Sequence, residues 1–273
     1  MKSIIIVGGG PRLRELTATF EMGEGFGNTH VPIETKVIIP YLCAGRDLGQ
    51  FCARAARQDE VKAFKDEVEI LRILNQSPQE EPLPFPRLVE AGVATFDGTQ
   101  RQYALVPFYK YHFKEYGAAD LDQFDRICIA SRMFMARQVI AAVAQAHRNG
   151  IYGIELKPNG IMWNTNPSDR YEITDAVFAD WNCVAYIGGE MRQSGLGTTE
   201  QARKADLMGL ARVATCIGGR VPRGTEVTYY EAYPPALSAV VELGLRGDLK
   251  DMEQFHRLFA IVGRSNGYIT SQN

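Results

Sequence analysis

The chain has no cysteine pair spaced to hold a metal: its five cysteines (Cys43, Cys52, Cys128, Cys183 and Cys216) are odd in number, widely separated and without a CxxC. That pattern signals neither a zinc site nor a disulfide framework, and a reducing compartment is the simpler inference. Long apolar runs are missing as well. The opening MKSIIIVGGGPRLRE breaks after Ile4–Val7, whereas a secretory leader needs roughly 7–15 apolar residues and a membrane span about 20. The expectation is a cytoplasmic protein without a membrane partner. A charge of one sign is lacking too. With 30 basic against 32 acidic side chains and a net charge of −2, there is no long-range field to draw in a polyanion, which disfavours nucleic acid as a partner. No internal repeat or low-complexity stretch is found. What remains is 273 residues, 45% hydrophobic and 23% charged, ordinary proportions for a globular protein. The length suits one large domain or two lobes.

The first 45 residues read as strand and turn. SIIIV and KVII are short β-branched runs, ELTATFE alternates weakly, and glycines cluster at Gly8–Gly10 and Gly23–Gly27. From residue 46 the character changes. Within ARAARQDEVKAFKDEVEILRILN, Val61, Phe64, Val68, Leu71 and Leu74 recur at helical spacing with charges on the other face, predicting a helix over about 58–76. The four prolines of SPQEEPLPFP forbid its continuation. RLVEAGVATFDGTQRQYALVPFY then predicts two strands about a DG turn. Helical patterns dominate beyond Leu121: ASRMFMARQVIAAVAQAHR, closed by Asn149-Gly150; TEQARKADLMGLARVATCI; and DLKDMEQFHRLFAIVG. Between the first two lie IYGIELKPNGIMWN, a loop with a short strand, and YEITDAVFADWN, a strand ending in an acidic turn.

That order, and particular residues in it, resemble the protein-kinase superfamily. In AQAHRNGIYGIELKPNGIMWN, His147 near a helix end, Gly150-Ile151, and Leu156-Lys157-Pro158 before an Ile-Met strand resemble the segment that carries the kinase catalytic loop. AVFADWN, with Asp180, is similar to the metal-binding turn, and its Asp-Trp pair to that of aminoglycoside and choline phosphotransferases. FKDEVEILRIL resembles the αC helix, FPRLVEAG and QYALVPFY the strands that lead to the hinge, and KADLMGLARVATCI the helix that anchors the larger lobe. The likeness runs over about residues 20–265 in family order. It implies an α+β, bilobal protein-kinase-like fold: an antiparallel β-rich lobe over 1–110 with one αC-type helix, and a mainly helical lobe over 111–273. It also implies a nucleotide, ATP, with Mg²⁺ as cofactors.

Carried over residue by residue, the resemblance meets substitutions at the catalytic positions. Glu155 stands where the family has its catalytic aspartate, after Gly153 and Ile154 in place of His-Arg. The carboxylate is kept but reaches about 1.5 Å further. Lys157 is the second candidate catalytic residue. The amide that would hold a second metal falls on Gly160, with Asn159 one position earlier, so the candidate metal ligands are Asp180 and Asn159. The glycine of the metal turn has become Asn182. In FEMGEGFGNT, Gly23, Gly25 and Gly27 resemble the phosphate-covering loop. The family lysine would then fall on Pro40. Lys36 is the nearby cation, four residues or about 13 Å away along a strand, and it serves only if the register shifts. Its partner on the helix would be Glu67, with Glu69 as fallback. Gly8–Gly10, returning through RELTATFE, is the rival phosphate loop. A dinucleotide fingerprint there is disfavoured, because the third glycine is missing.

Other residues carry bland readings. His147 is expected to bond to loop backbone rather than act as a base, Trp181 and Met133–Met135 to pack, and Cys183 to be a small buried thiol. Three functions stay open: an atypical ATP-dependent phosphotransferase acting on a protein or small-molecule hydroxyl, with Glu155 in the base position; a pseudokinase serving as scaffold or allosteric partner; or a kinase fold repurposed for other cleft chemistry.

Overall fold

The computed structural model describes residues 6–12, 20–21, 33–38, 50–55, 61–76, 83–96, 98–107, 109, 111–112, 127–181, 183–192, 197–218, 220–223, 226–229 and 233–267, the strands at 6–8, 20–21, 33–38, 50–55, 220–223 and 226–229 by their backbone. The chain divides into two compact units, Met1–Pro78 with Pro86–Phe108, and Gln79–Phe85 with Tyr109–Asn273. No helix among the described residues is long and apolar enough to cross a membrane.

The first unit is a six-stranded sheet with one helix. Its strands are β1 (Ile6–Gly8), β2 (Phe20–Glu21), β3 (Ile33–Ile38), β4 (Gln50–Ala55), β5 (Glu90–Phe96) and β6 (Thr99–Pro107), in the spatial order β1-β5-β6-β4-β3-β2 and antiparallel throughout. The expected hairpin is present as β5 and β6, turning at Gly98 with φ +76°. Helix α1 (Val61–Gln76) turns Phe64, Glu67, Val68, Leu71 and Leu74 inward, the spacing read from the sequence. Phe64 and Val68 pack on Ala104 of β6, with Val61, Leu88 and Ala91 around them. Each large side chain so buried stabilises the packing by about 1.5–3 kcal/mol.

Two corrections concern this unit. Residues 50–55, which lie in the stretch read as changing to helical character, form β4. Pairing on both sides, with β3 and β6, overrides the helix propensity of an Ala- and Arg-rich run. The rival glycine loop does not return into β2: β1 lies at one edge of the sheet and β2 at the other. β1 pairs antiparallel with β5, which also excludes the parallel crossover that a dinucleotide fold requires.

The second unit is mainly helical. Helix α2 (Ile129–Arg148) is buried on nearly every side, Met133 and Met135 included. It ends at Asn149 and Gly150, whose φ of +73° suits glycine. Helix α3 (Thr199–Ile217) starts on a capping box between Thr198 and Gln201. Helix α4 (Pro235–Arg246), not anticipated from the sequence, begins with Pro235 in the first turn and stops at Gly247 with φ +71°. Helix α5 (Met252–Ser265) is capped by Asp251, which accepts from Gln254 N–H at 2.8 Å. Short strands fill the gaps: β7 (Tyr111–His112), β9 (Ile161–Asn166) and β10 (Asp169–Phe178) in one sheet; β8 (Tyr152–Ile154), β11 (Val184–Ile187) and β12 (Glu190–Met191) in another; and the β13 (Arg220–Arg223) and β14 (Glu226–Tyr229) hairpin.

Candidate functional site

Residues 153–160 form a loop whose position is set from beneath by one carboxylate. Asp206, in the middle of α3 and 1% exposed, accepts the N–H of Ile154 at 2.7 Å and of Gly153 at 2.8 Å, and its Oδ2 lies 2.9 Å from His147 Nε2. Gly153 has φ +71°, a backbone state that glycine reaches without a Cβ penalty. Burial raises the Asp206 carboxyl above the usual carboxylate range, while His147 and the two loop amides pull the other way. A charge so buried is tolerable only with this many donors. His147 is structural, as expected, but its bond is to the carboxylate that holds the loop rather than to loop backbone. Asp206 itself escaped sequence reasoning. Its signal was an acidic residue on the apolar stripe of a helix, between Ala202 and Leu210, both fully buried.

Two backbone hydrogen bonds then tie the loop to the turn after β10. Glu155 N–H donates to Cys183 C=O at 3.0 Å, and Ala179 N–H to Gly160 C=O at 2.8 Å. Between them the 3-10 turn Pro158–Gly160 closes the loop. Trp181 is fully buried, donates its indole N–H to Phe178 C=O at 3.0 Å, and meets the Phe178 ring edge to face at 5.0 Å. It packs, as read from the sequence, and so anchors the turn that carries Asp180.

The chemical groups gather where loop and turn meet. Lys157 Nζ lies 2.6 Å from Glu155 Oε1, each side chain about half exposed. The hydrogen bond to Glu155 raises the Lys157 ammonium above its ordinary value against slight burial, and the charges of Glu155 and Asp180 add to the rise. Burial pushes the Cys183 thiol up to about 11, helped by its hydrogen bond to Glu155 and by the Glu155 and Asp180 charges. Glu155, Lys157, Asp180 and Cys183 therefore form one electrostatic cluster, although they lie far apart in the turn-and-loop sequence.

Whether these residues suit a divalent cation depends on three positions. Asp180 supplies a partly exposed carboxylate. Asn159 Oδ1 is buried without a hydrogen-bond partner, an orphaned oxygen of the kind a cation relieves. Gly160 supplies nothing and leaves no room: a Cβ there would stand 2.7 Å from Asp180 Cβ and 2.8 Å from the Phe178 ring. Among the described residues no three His, Cys, Asp or Glu side chains gather as a self-sufficient metal site. The set fits a Mg²⁺ ion that keeps waters and is shared with phosphates, since such ions need only one or two protein oxygens. It does not fit a closed protein cage.

In the β-rich unit, Gly23, Gly25 and Gly27 lie outside the described residues, as does Asn182 of the helical unit. The segment holding the three glycines joins β2 to β3, which pair antiparallel. Lys36 belongs to β3, opposite Glu21 on one side and Cys52 on the other. The strand that borders β6 and leads into α1 is β4, and its basic residue is Arg54, in register with Ala104. Glu67 is 2% exposed on α1, one residue from Val68, which packs on the same Ala104. Glu69 is half-buried. At the rival loop, two N–H groups are engaged by side chains of the same unit. Gly10 N–H donates to the Tyr103 hydroxyl at 2.8 Å, and Arg12 N–H to Glu90 Oε2 at 2.9 Å. Tyr103 OH donates in turn to Glu90 Oε1 at 2.6 Å.

No family model matches the sequence, and no curated protein does. Solved structures match the fold. A double mutant of the Mycobacterium tuberculosis PknI kinase domain aligns at TM-score 0.51 and 13% identity, covering 89% of this chain and 94% of that one. A single mutant of the same domain aligns at TM-score 0.52 and 14% identity with the same coverage. The chain has an α+β, bilobal protein-kinase-like fold, with a small antiparallel β-rich lobe carrying one helix and a mainly helical lobe.

Proposed function

We propose that this protein is an atypical nucleotide-dependent phosphotransferase, using ATP and Mg²⁺, in which Glu155 receives the proton of an acceptor hydroxyl. One observation carries the reading: Glu155, Lys157 and Asp180 act on one another within a loop and turn held by four backbone donors. Phosphoryl transfer asks for little else from a protein: a positioned carboxylate, a cation beside it and an oxygen ligand for a metal. Glu155 accepts the proton, Lys157 holds that carboxylate and offers its charge to phosphate, and Asp180 with Asn159 would hold Mg²⁺. Bound Mg²⁺ supplies charge neutralisation across the phosphates. In the β-rich lobe the reading keeps Lys36 of β3 as the phosphate-side cation, with Glu67 as its partner. The glycines at 23, 25 and 27 serve as the phosphate-covering segment.

Closure at Gly160 favours a second reading, a pseudokinase that binds nucleotide or a protein partner without turnover. The two separate cleanly. ATP with Mg²⁺ raises the melting temperature under both nucleotide-binding versions, by mass action on the folded state. Only the enzyme then loses turnover in Glu155→Gln, by about 10²–10⁴-fold with nucleotide affinity unchanged. No shift with any nucleotide sinks the enzymatic reading. Turnover that survives Glu155→Gln removes this residue from its role.

A further inference from the structure

We propose that Cys183 is a positioning residue for Glu155: its S–H donates to the glutamate carboxylate from the turn, as Lys157 does from the loop, and the two donors hold that carboxylate in one orientation. The inference rests on the phosphotransferase reading above, in which Glu155 receives a proton. Backbone register places the pair. Strands β8 and β11 run antiparallel with Ile154 opposite Val184 and Tyr152 opposite Tyr186, so the next pair along the same ladder is Glu155 with Cys183. The ladder continues there, since Glu155 N–H donates to Cys183 C=O at 3.0 Å. Residues directly opposite on antiparallel strands carry their side chains on one face, about 4.5–5.5 Å apart at Cβ. Ile154 and Val184 are buried, and successive side chains alternate between faces, so Glu155 and Cys183 turn away from the core together. Their exposure agrees, the glutamate being half exposed and the thiol half-buried.

The backbone of Glu155 is fixed, whereas its side chain needs holding. Leu156 N–H donates to Ile154 C=O at 2.8 Å, which closes a three-residue turn centred on Glu155. A glutamate has one more torsion to settle than an aspartate, and at a half-exposed position packing does not settle it. A base must stand within hydrogen-bond reach of the proton it takes, so an unheld carboxylate would spend little time in place. Lys157 Nζ holds one oxygen at 2.6 Å, but from a long side chain that is itself half exposed, and an ion pair in that setting is weak. Cys183 supplies the short, half-buried donor. Its thiol suits that task better than a nucleophilic one: burial and the hydrogen bond to Glu155 push it up to about 11, so it keeps its proton at neutral pH.

Infrared spectroscopy of the S–H stretch on the full chain tests the contact without any turnover, the Cys183 band being the one lost in Cys183→Ser. A hydrogen-bonded thiol absorbs at lower frequency than a free one, so the band should rise in Glu155→Ala. A band that stays where it is overturns the proposal. Turnover of ATP with Mg²⁺, read as release of ADP with water as the acceptor, tests the purpose. Cys183→Ala should lower kcat by up to about 10²-fold, the cost of misplacing a reacting group by about 1 Å, and leave the KM for ATP unchanged. Cys183→Ser keeps a donor on a side chain of similar size and should restore most of the loss, which a packing role alone would not require. Wild-type kcat in Cys183→Ala, or a serine variant as impaired as the alanine one, overturns positioning and leaves the phosphotransferase reading standing. A chain that shows the band shift and releases no ADP overturns that reading instead, while supporting the hold of Cys183 on the carboxylate.

Discussion

Replacing Gly160 by alanine adds one methyl group at the tightest backbone contact beneath the loop, and the outcome can be worked from distances. The new carbon would lie 2.7 Å from Asp180 Cβ and 2.8 Å from the Phe178 ring, where carbon atoms ordinarily rest at about 3.5–4.0 Å. Something must move by roughly 1 Å. Phe178 is walled in by Trp181, and Ala179 N–H donates to Gly160 C=O at 2.8 Å, so yielding means parting the turn from the loop. Overpacking of this kind costs about 1–3 kcal/mol, partly offset by about 0.4–1 kcal/mol from a less flexible unfolded chain. The net loss of about 1–2 kcal/mol corresponds to a fall of roughly 2–8 °C in melting temperature for a chain of this size. A displacement of that length at Asp180 should also cost about 10²-fold in any turnover. Gly209 provides the control. A Cβ there meets Leu156 at 3.5 and 3.6 Å, ordinary contact, and in the interior of α3 the Gly209→Ala change should gain up to about 1 kcal/mol. Differential scanning fluorimetry of the two variants should move in opposite directions. Gly160→Ala melting with or above the wild type would refute the close approach of position 160 to Asp180 and Phe178.

Asp206→Asn replaces a charged acceptor of two loop amides and His147 by an amide with one acceptor oxygen; urea unfolding should show a loss of about 3–5 kcal/mol, as for other broken buried pairs, and a loss below 1 kcal/mol would mean that Asp206 does not hold the loop. A thiol pushed up to about 11 is almost entirely protonated at pH 8, so peptide-resolved mass spectrometry should find Cys183 alkylated by iodoacetamide about 10²-fold more slowly than an ordinary thiol, with Glu155→Gln speeding it several-fold; equal rates in the two proteins would separate Glu155 from Cys183. His256 is held below its ordinary 6.5 chiefly by burial, opposed by the Glu253 charge and reinforced by Arg148, Arg137 and Arg264. The unfolded chain therefore takes the proton first as pH drops below 6.5, stability falls there by at most about 1.4 kcal/mol per pH unit from this group, and His256→Gln should flatten that part of the pH–stability curve relative to wild type; parallel curves would refute it.

What the sequence made legible were local features with strong chemistry. The apolar spacing of α1, the turn at Gly98, the stop at Asn149-Gly150 and the strand after Leu156-Lys157-Pro158 all lie where their residues indicate. The misses are of another kind. Gln50–Ala55 carries helix-forming residues and becomes a strand because two neighbours pair with it, which a local pattern cannot express. Helix α4 begins at a Pro-Pro pair that reads as loop, although proline suits a first helical turn. Asp206 reads as an ordinary helix acid until the loop it binds, more than fifty residues earlier in the chain, is brought to it. At the site, the loss of an amide at position 160 was visible in the sequence, but its cause was not. Only the contact between Gly160 and Asp180 shows that an amide has no room there.

That contact separates what the fold needs from what chemistry needs. Asp206 grips the loop through the backbone N–H groups of residues 153 and 154, and a backbone donor is the same whichever side chain it carries, except that φ +71° at 153 favours glycine. Gly153 and Ile154 in place of His-Arg therefore leave the loop held. Glu155 and Lys157 differ, because neither is needed to hold it. Their ion pair is half exposed, and pairs in that setting contribute at most about 1 kcal/mol, while the Glu155 backbone makes its bond to Cys183 whatever its side chain. Stability thus gives no strong reason for a carboxylate at 155, an ammonium at 157 and a second carboxylate at 180 to converge on one edge of the loop. The proposed phosphotransferase reading would give each of the three a role, and Glu155→Gln, which should cost little stability, tests it.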